Sequence, residues 1–164
     1  MSQWLANIFE QQASRRSGDD EGTEQLVPAL TIEHRGLRYV SDFSYLSEVI
    51  ENALIVPYPE KHSAHIGIIN MRGAIVPVLC LAALFGQDEK CCLGERAREG
   101  RPLKYPRMVV FCSPAGSFAV GASHVKKCLV PREKMQQCGE IEIEGKVYRI
   151  LNENFFLRME EMVA

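Results

Sequence analysis

The side chains that could do chemistry are few and lie far apart along the chain. His62 and His65 stand three residues apart, but no Cys or His follows at ligand spacing, so two solvated histidines are the favoured interpretation. Cys91 and Cys92 follow Lys90, whose charge would favour an exposed, reactive thiolate. A pair of cysteines without function in a surface loop is the favoured alternative.

The remaining titratable groups also lack the arrangement that catalysis needs. Glu142 and Glu144 are predicted to share the solvent face of one strand, whereas a working carboxylate pair needs the opposed walls of a cleft. His34 and His124 each stand alone in sequence, which favours surface or hydrogen-bonded histidines. The phosphate-binding, dinucleotide-binding and nucleophile-elbow motifs are absent. We therefore predict a binding module with no catalytic residues, no metal and no cofactor.

Composition supports a folded protein of ordinary surface charge. The 164 residues are 46% hydrophobic and 24% charged, with a formal net charge of -2, which argues against a nucleic-acid partner. No apolar run reaches the roughly 18 residues of a membrane span, and no signal peptide is recognisable. The six cysteines form no C-x-x-C pair, which favours a reduced, cytoplasmic protein.

The chain divides into an extension and one domain. Residues 1–27 carry a short apolar stripe followed by a polar run rich in Ser, Gly, Asp and Glu, and we predict a flexible N-terminal extension. Residues 28–164 form the predicted domain. Within it, residues 87–106 are charged and contain two glycines and two prolines, which predicts a long surface loop.

The domain is predicted to be mostly strands with Gly and Pro turns between them. Turns are expected at Arg35-Gly36, Arg72-Gly73 and Gly145. A short helix capped by Ser41 or Asp42 is expected early, and its apolar stripe would comprise Tyr45, Leu46, Val49 and Ile50. A closing helix is expected after Asn152, with Phe155, Phe156, Met159 and Val163 facing inward. This pattern favours small barrels or a sandwich.

One segment resembles a known family. Residues 67–78, GIINMRGAIVPV, closely resemble the G-x-x-N-[LM]-R-G-x-[IV]-[VI]-P-[VI] hallmark of CheW domains. The passages LRYVSDFSYLSEVI at 37–50, LFG at 84–86, MVVF at 108–111 and FAVG at 118–121 are also similar to the family. The resemblance extends over about residues 28–160.

The resemblance implies an all-β fold with short helices, in which two intertwined five-stranded SH3-like barrels share a core. It also implies a non-catalytic chemosensory adaptor that couples the cytoplasmic tip of methyl-accepting receptors to the regulatory domain of a CheA-type histidine kinase. Such a protein is cytoplasmic and works at membrane-associated receptor arrays. The implied partner-binding residues are Leu46, Glu48 and Val49 of the early helix, with Asn70 and Arg72 of the turn. Gly67 and Gly73 are predicted to be structural turn residues, with a backbone function through close packing or positive φ.

The sequence departs from the family where charged residues are common. Cys80, Leu81 and Ala82 replace an Asp-Leu-Arg pattern, Asn152 replaces an Asp, and Ser123-His124-Val125 replaces a D-x-V passage. These changes indicate a divergent member, which suggests a specialised array such as one controlling pili or surface behaviour. Two alternatives stay open: a regulatory binder that engages only one partner, and a thiol-based redox sensor or enzyme that uses Cys91 and Cys92.

Overall fold

A computed structural model describes residues 25–57, 64–87, 102–114, 116–137 and 139–159. These residues form ten strands and three short helices. The strands are β1 (Leu26–His34), β2 (Leu37–Asp42), β3 (Leu46–Ile55), β4 (His65–Met71), β5 (Ala74–Leu79), β6 (Leu103–Ser113), β7 (Gly116–Gly121), β8 (His124–Pro131), β9 (Glu140–Ile143) and β10 (Lys146–Leu151). The helices are α1 (Leu81–Leu84), α2 (Arg132–Met135) and α3 (Glu153–Arg158).

The strands form two five-stranded sheets that exchange chain segments. The first sheet has the order β8-β1-β2-β10-β9 and the second has the order β3-β6-β7-β5-β4. The chain therefore begins in the first sheet, builds the whole second sheet and then returns to finish the first. The predicted fold class, two intertwined five-stranded units, is confirmed.

Each sheet is curled around its own apolar cluster, and a third cluster lies between the sheets. Ala53, Ile55 and Ile69 belong to the cluster inside the second sheet, whereas Val40 and Ile150 belong to the cluster inside the first. The cluster between the sheets takes side chains from both of them and from α3. Its largest fully buried members are Leu30, Ile32, Leu79, Val109, Phe111, Phe118, Leu151 and Phe156. Strand β6 is apolar on both faces because Val109 and Val110 point into different clusters.

The ends of each curled sheet approach one another. In the second sheet, the backbone of Val56 beyond β3 exchanges two 2.8 Å hydrogen bonds with Ile68 of β4. In the first sheet, Lys126 of β8 forms a 3.2 Å ion pair with Glu144, which follows β9. These contacts join strands that lie at opposite edges of the sheet order.

Three hairpins are closed by two-residue turns at positions that the sequence predicts. Both central residues have positive φ at Arg35-Gly36 (52° and 79°), Arg72-Gly73 (52° and 89°) and Glu144-Gly145 (50° and 79°). This is the type I′ geometry, whose twist matches that of the flanking strands.

The predicted early helix is wrong, because residues 46–55 form β3, paired antiparallel with β6. A bulge between Leu46 and Glu48 shifts the register by one residue. Leu46 and Val49 therefore pack against the same cluster although they are three apart, and the resulting spacing imitates a helix. Asp42 accepts a 2.9 Å hydrogen bond from the backbone N–H of Ser44 and so stabilises a tight turn instead of a helix start.

Two predicted boundaries also move. Strand β6 begins at Leu103, which pairs with Ile55, so the last residues assigned to the 87–106 loop are strand. Strand β1 begins at Leu26, so the last two residues assigned to the extension pair with β8. Residues 1–24 and 88–101 lie outside the described residues, and the division into extension and domain stays a prediction.

The closing helix begins where the sequence predicts. Asn152 Oδ1 accepts a 3.3 Å hydrogen bond from the Phe155 N–H, which is N-cap geometry. Phe155, Phe156 and Met159 are buried between the sheets, as expected. Val163 lies outside the described residues.

Candidate partner-binding site

The β4–β5 hairpin presents a rigid, exposed turn. Asn70 Oδ1 accepts a 2.9 Å hydrogen bond from the Gly73 N–H, so the Asn70 side chain stabilises the turn from within. A Cβ on Gly73 would meet nothing within 4 Å, which leaves its positive φ as the reason that glycine is favoured. Asn70 thus positions Arg72 and leaves it facing solvent.

Arg72 and Glu48, two residues predicted to contact partners, bind each other. Arg72 Nη2 donates to Glu48 Oε1 at 3.1 Å and to Oε2 at 2.9 Å. The Arg72 side chain is 80% exposed, whereas that of Glu48 is only 12% exposed. The carboxylate is therefore anchored in the protein surface and orients a guanidinium group that projects from it. Within the described part of the chain, the Nε and Nη1 groups of Arg72 make no hydrogen bond and are open to a partner.

Leu46 and Val49 do not form the exposed apolar surface expected of a helix. Both are partly buried in β3 and pack against the cluster between the sheets. They support the strand that carries Glu48 and offer little free contact area.

Ile75 supplies the exposed apolar area instead, and the sequence interpretation missed it. It lies in β5 directly opposite Asn70, two residues from the turn, and is 69% exposed. The apolar run from Ala74 to Leu81 is typical of a strand buried on both faces, but Ala74 and Ile75 at its start are exposed. The turn itself carried the correct signal, because a two-residue hairpin places the end of the first strand and the start of the second beside the exposed turn.

Gly67 does not lie in a turn but in β4, beside the bulge in its pairing with β5. A Cβ there would lie 2.5 Å from the backbone O of Val56 and 2.8 Å from Ile55 Cγ2. Close approach of β3 and β4 therefore requires glycine at this position, and its function is to let the second sheet close.

His34 lies in a hydrogen-bonded cluster between the sheets. Its Nδ1 is 2.6 Å from the Tyr105 hydroxyl and 3.3 Å from Ser123 Oγ. Burial, with a smaller contribution from the charge of Arg35, lowers the pKa of His34 from 6.5 to about 4. The imidazole is therefore neutral at physiological pH and joins β1 to β6 of the other sheet.

The other residues considered for chemistry form no site in the described part of the chain. Glu144 lies in the β9–β10 turn and not in the strand with Glu142, which corrects the predicted shared face. No group of three His, Cys, Asp or Glu side chains in the described ranges could hold a metal ion. His62, Cys91 and Cys92 lie outside those ranges. The described helices include none that is long and apolar enough to cross a membrane.

The departures at residues 80–82 prove to be interior positions. Cys80, Leu81 and Ala82 are all buried, at 4%, 5% and 3% exposure. Their lack of charge therefore fits their surroundings and removes no contact from the surface of this protein.

The curled sheets and the shared core define an all-β protein of two interlocked five-stranded units, with an exposed hairpin on the second. Residues 28–101 match the family model described as the CheW-like domain. The crystal structure of the scaffolding protein TtCheW from Thermoanaerobacter tengcongensis has the same fold, with a TM-score of 0.56 and 18% sequence identity over 77% of this chain and 88% of that one. Comparison with curated proteins gives no match. Together, these findings support a CheW-like domain over residues 28–101 of a chain whose fold is like that of TtCheW.

Proposed function

We propose that this protein is a non-catalytic chemosensory adaptor that couples a methyl-accepting receptor tip to the regulatory domain of a CheA-type histidine kinase. The match of residues 28–101 to the CheW-like domain and the likeness in fold to a scaffolding protein support a scaffold function in chemotaxis. The observation that carries the proposal is the Glu48–Arg72 pair on the rim of the second sheet. We place the protein in the cytoplasm, at receptor arrays.

The chemistry of the rim suits an acidic, partly apolar partner. Arg72 has N–H groups left over after binding Glu48, and a guanidinium can bind two carboxylates at once. Ile75 on the neighbouring strand provides the apolar area that such a contact would cover. Glu48 and Asn70 act as positioning residues, since one orients the guanidinium and the other stabilises the turn.

The binding free energy of such a contact comes mainly from excluding water around the charged groups. An exposed ion pair contributes only about 0–1 kcal/mol, because solvent screens it and the side chains lose freedom. A charge-assisted hydrogen bond contributes about 1.5–3 kcal/mol. A partner that covers Ile75 would therefore strengthen the Arg72 contact by excluding water around it.

The proposal is tested with purified fragments of the receptor hairpin and of the kinase regulatory domain, each assayed separately by isothermal calorimetry. We expect the wild-type chain to bind both, and Arg72→Glu to lose roughly tenfold or more in affinity for at least one of them. Arg107→Glu is the matched control, because Arg107 also makes an exposed ion pair from β6 to β3, with Glu51 at 3.9 Å. If the wild-type chain binds neither fragment, the proposal is overturned.

Measuring the two fragments separately also tests the one-partner alternative. Binding of one fragment alone, with full retention of the fold, would identify a regulatory binder and not a coupling protein. If Arg72→Glu binds both fragments with unchanged affinity, the contact surface does not include the β4–β5 hairpin. Circular dichroism of each variant shows that the fold is retained.

A further inference from the structure

A cleft lies away from the Glu48–Arg72 pair, between the end of α1, strands β9 and β10, and α3. Its volume is about 490 Å³, within the range of sites that hold small molecules or short peptide segments. No residue of β3, β4 or β5 lines it, so it is distinct from the Glu48–Arg72 site. Its lining residues are Phe85, Gly139, Glu140, Arg149, Ile150, Asn152, Asn154, Phe155 and Arg158.

Arg149 is held in place by an aromatic stack. Its guanidinium carbon lies 4.3 Å from the centre of the Phe85 ring, a cation–π contact. Phe85 in turn stacks on Tyr39 at 5.8 Å and on Phe155 at 5.7 Å, with 21° between the planes in both cases. The stack covers one face of the guanidinium, whose N–H groups lie along the edge of its plane.

The positive charge of the cleft has no carboxylate partner among the described residues. Neither Arg149 nor Arg158 forms an ion pair with a residue that the structure describes. Glu140 lies directly across the ladder from Arg149 and lines the same cleft, yet it is outside ion-pair distance. With two arginines and one glutamate, the described lining residues have a formal charge of +1.

The cleft also has an apolar part that a free anion would leave uncovered. Phe85, Phe155 and Ile150 contribute ring and aliphatic surface beside the two arginines. We propose that this cleft binds an acidic segment of a partner protein. Carboxylates of the segment meet Arg149 and Arg158, and an apolar side chain of the segment lies against Phe85. The proposal does not depend on the identity of the receptor or kinase partners.

The test selects ligands without assuming their sequence. A phage-displayed library of random short peptides is selected on the immobilised full chain, and enriched peptides are synthesised and measured by fluorescence anisotropy. We expect the enriched peptides to combine Asp or Glu with an apolar residue. We expect Arg149→Gln and Arg158→Gln each to weaken their binding roughly tenfold, whereas Arg107→Gln leaves it unchanged.

Three results would overturn the proposal. The first is enrichment of peptides without acidic residues, or of none at all. The second is binding that survives the Arg149→Gln, Arg158→Gln double variant in a chain whose melting temperature is unchanged. The third is displacement of the peptide by inorganic phosphate at the same concentration, which would indicate a small-anion site.

The chain's own acidic residues are a competing occupant. Glu160 and Glu161 follow α3 closely and lie outside the described residues. We expect a chain shortened after Met159 to bind the selected peptides with the same affinity as the full chain. A tenfold gain in affinity on shortening would assign the cleft to the chain's own end and not to a partner.

Discussion

Arg72 Nη2 lies 3.1 and 2.9 Å from the two carboxylate oxygens of Glu48, although the residues are 24 positions apart, with Glu48 in β3 and Arg72 in the β4–β5 turn. The pair joins strand β3 to the β4–β5 hairpin at the rim. Because Glu48 is the less exposed member, the pair fixes where Arg72 projects.

We expect the coupling energy of this pair to be small in the free protein. In a double-mutant cycle of Glu48→Gln and Arg72→Gln, the interaction energy from urea unfolding should be about 1 kcal/mol and should fall with added salt. A coupling energy above about 3 kcal/mol would show that the pair mainly stabilises the fold. It would argue against Arg72 as a residue that binds a partner.

Replacing each of two glycines of the β4–β5 hairpin by alanine should lower the free energy of unfolding by different amounts, because the two positions require glycine for different reasons. Gly67→Ala forces a Cβ to 2.5 Å from a backbone oxygen, and we expect a loss of about 3 kcal/mol in the free energy of unfolding. Gly73→Ala meets no atom but keeps a positive φ of 89°, and we expect a loss of about 1 kcal/mol. Equal losses, measured by chemical denaturation, would contradict the close approach of β3 and β4.

His34 should make the protein less stable in mild acid. Because the pKa of His34 is lowered from 6.5 to about 4 by burial, the unfolded chain binds a proton between these values and the folded chain does not. Stability contributed by neutral His34 is therefore full above pH 6.5 and declines as the pH falls toward 4. The loss is on the order of 1 kcal/mol, since part of the ring is solvated.

The matched control for His34 is the exposed His124 at the start of β8. Thermal melts at several pH values should show a smaller slope in His34→Gln than in wild type, and an unchanged slope in His124→Gln. The same slope in all three proteins would show that the His34–Tyr105 contact does not control the acid sensitivity.

The cluster between the sheets should be sensitive to Phe156 and insensitive to its neighbour. Phe156 is fully buried against Phe111, Phe118 and Tyr45, so Phe156→Ala should cost about 3–5 kcal/mol through lost burial and a cavity. Leu157→Ala, at a side chain 44% exposed, should cost less than about 1 kcal/mol. Comparable losses in urea unfolding would mean that α3 does not join the two sheets as described.

The sequence by itself determined the local features of this protein. The pairs Arg35-Gly36 and Arg72-Gly73 gave the hairpin turns, because type I′ geometry needs positive φ at both positions and Gly adopts it without cost. Asn152 predicted the start of the closing helix, because its short side chain can accept from the backbone N–H three residues on. The GIINMRGAIVPV segment indicated the family. Each of these signals depends on residues that are neighbours along the chain.

Only the tertiary structure decided β3, the Glu48–Arg72 pair and the Arg149 cleft. The segment from Leu46 has apolar spacing that suits a helix, and only pairing with β6, with its bulge, makes that spacing a strand. The cleft combines Phe85 with Arg149 because the parallel pairing of β10 with β2 places Arg149 beside Tyr39 and its ring stack. Such contacts depend on the register between distant strands, which the packing of the whole core fixes and local sequence does not.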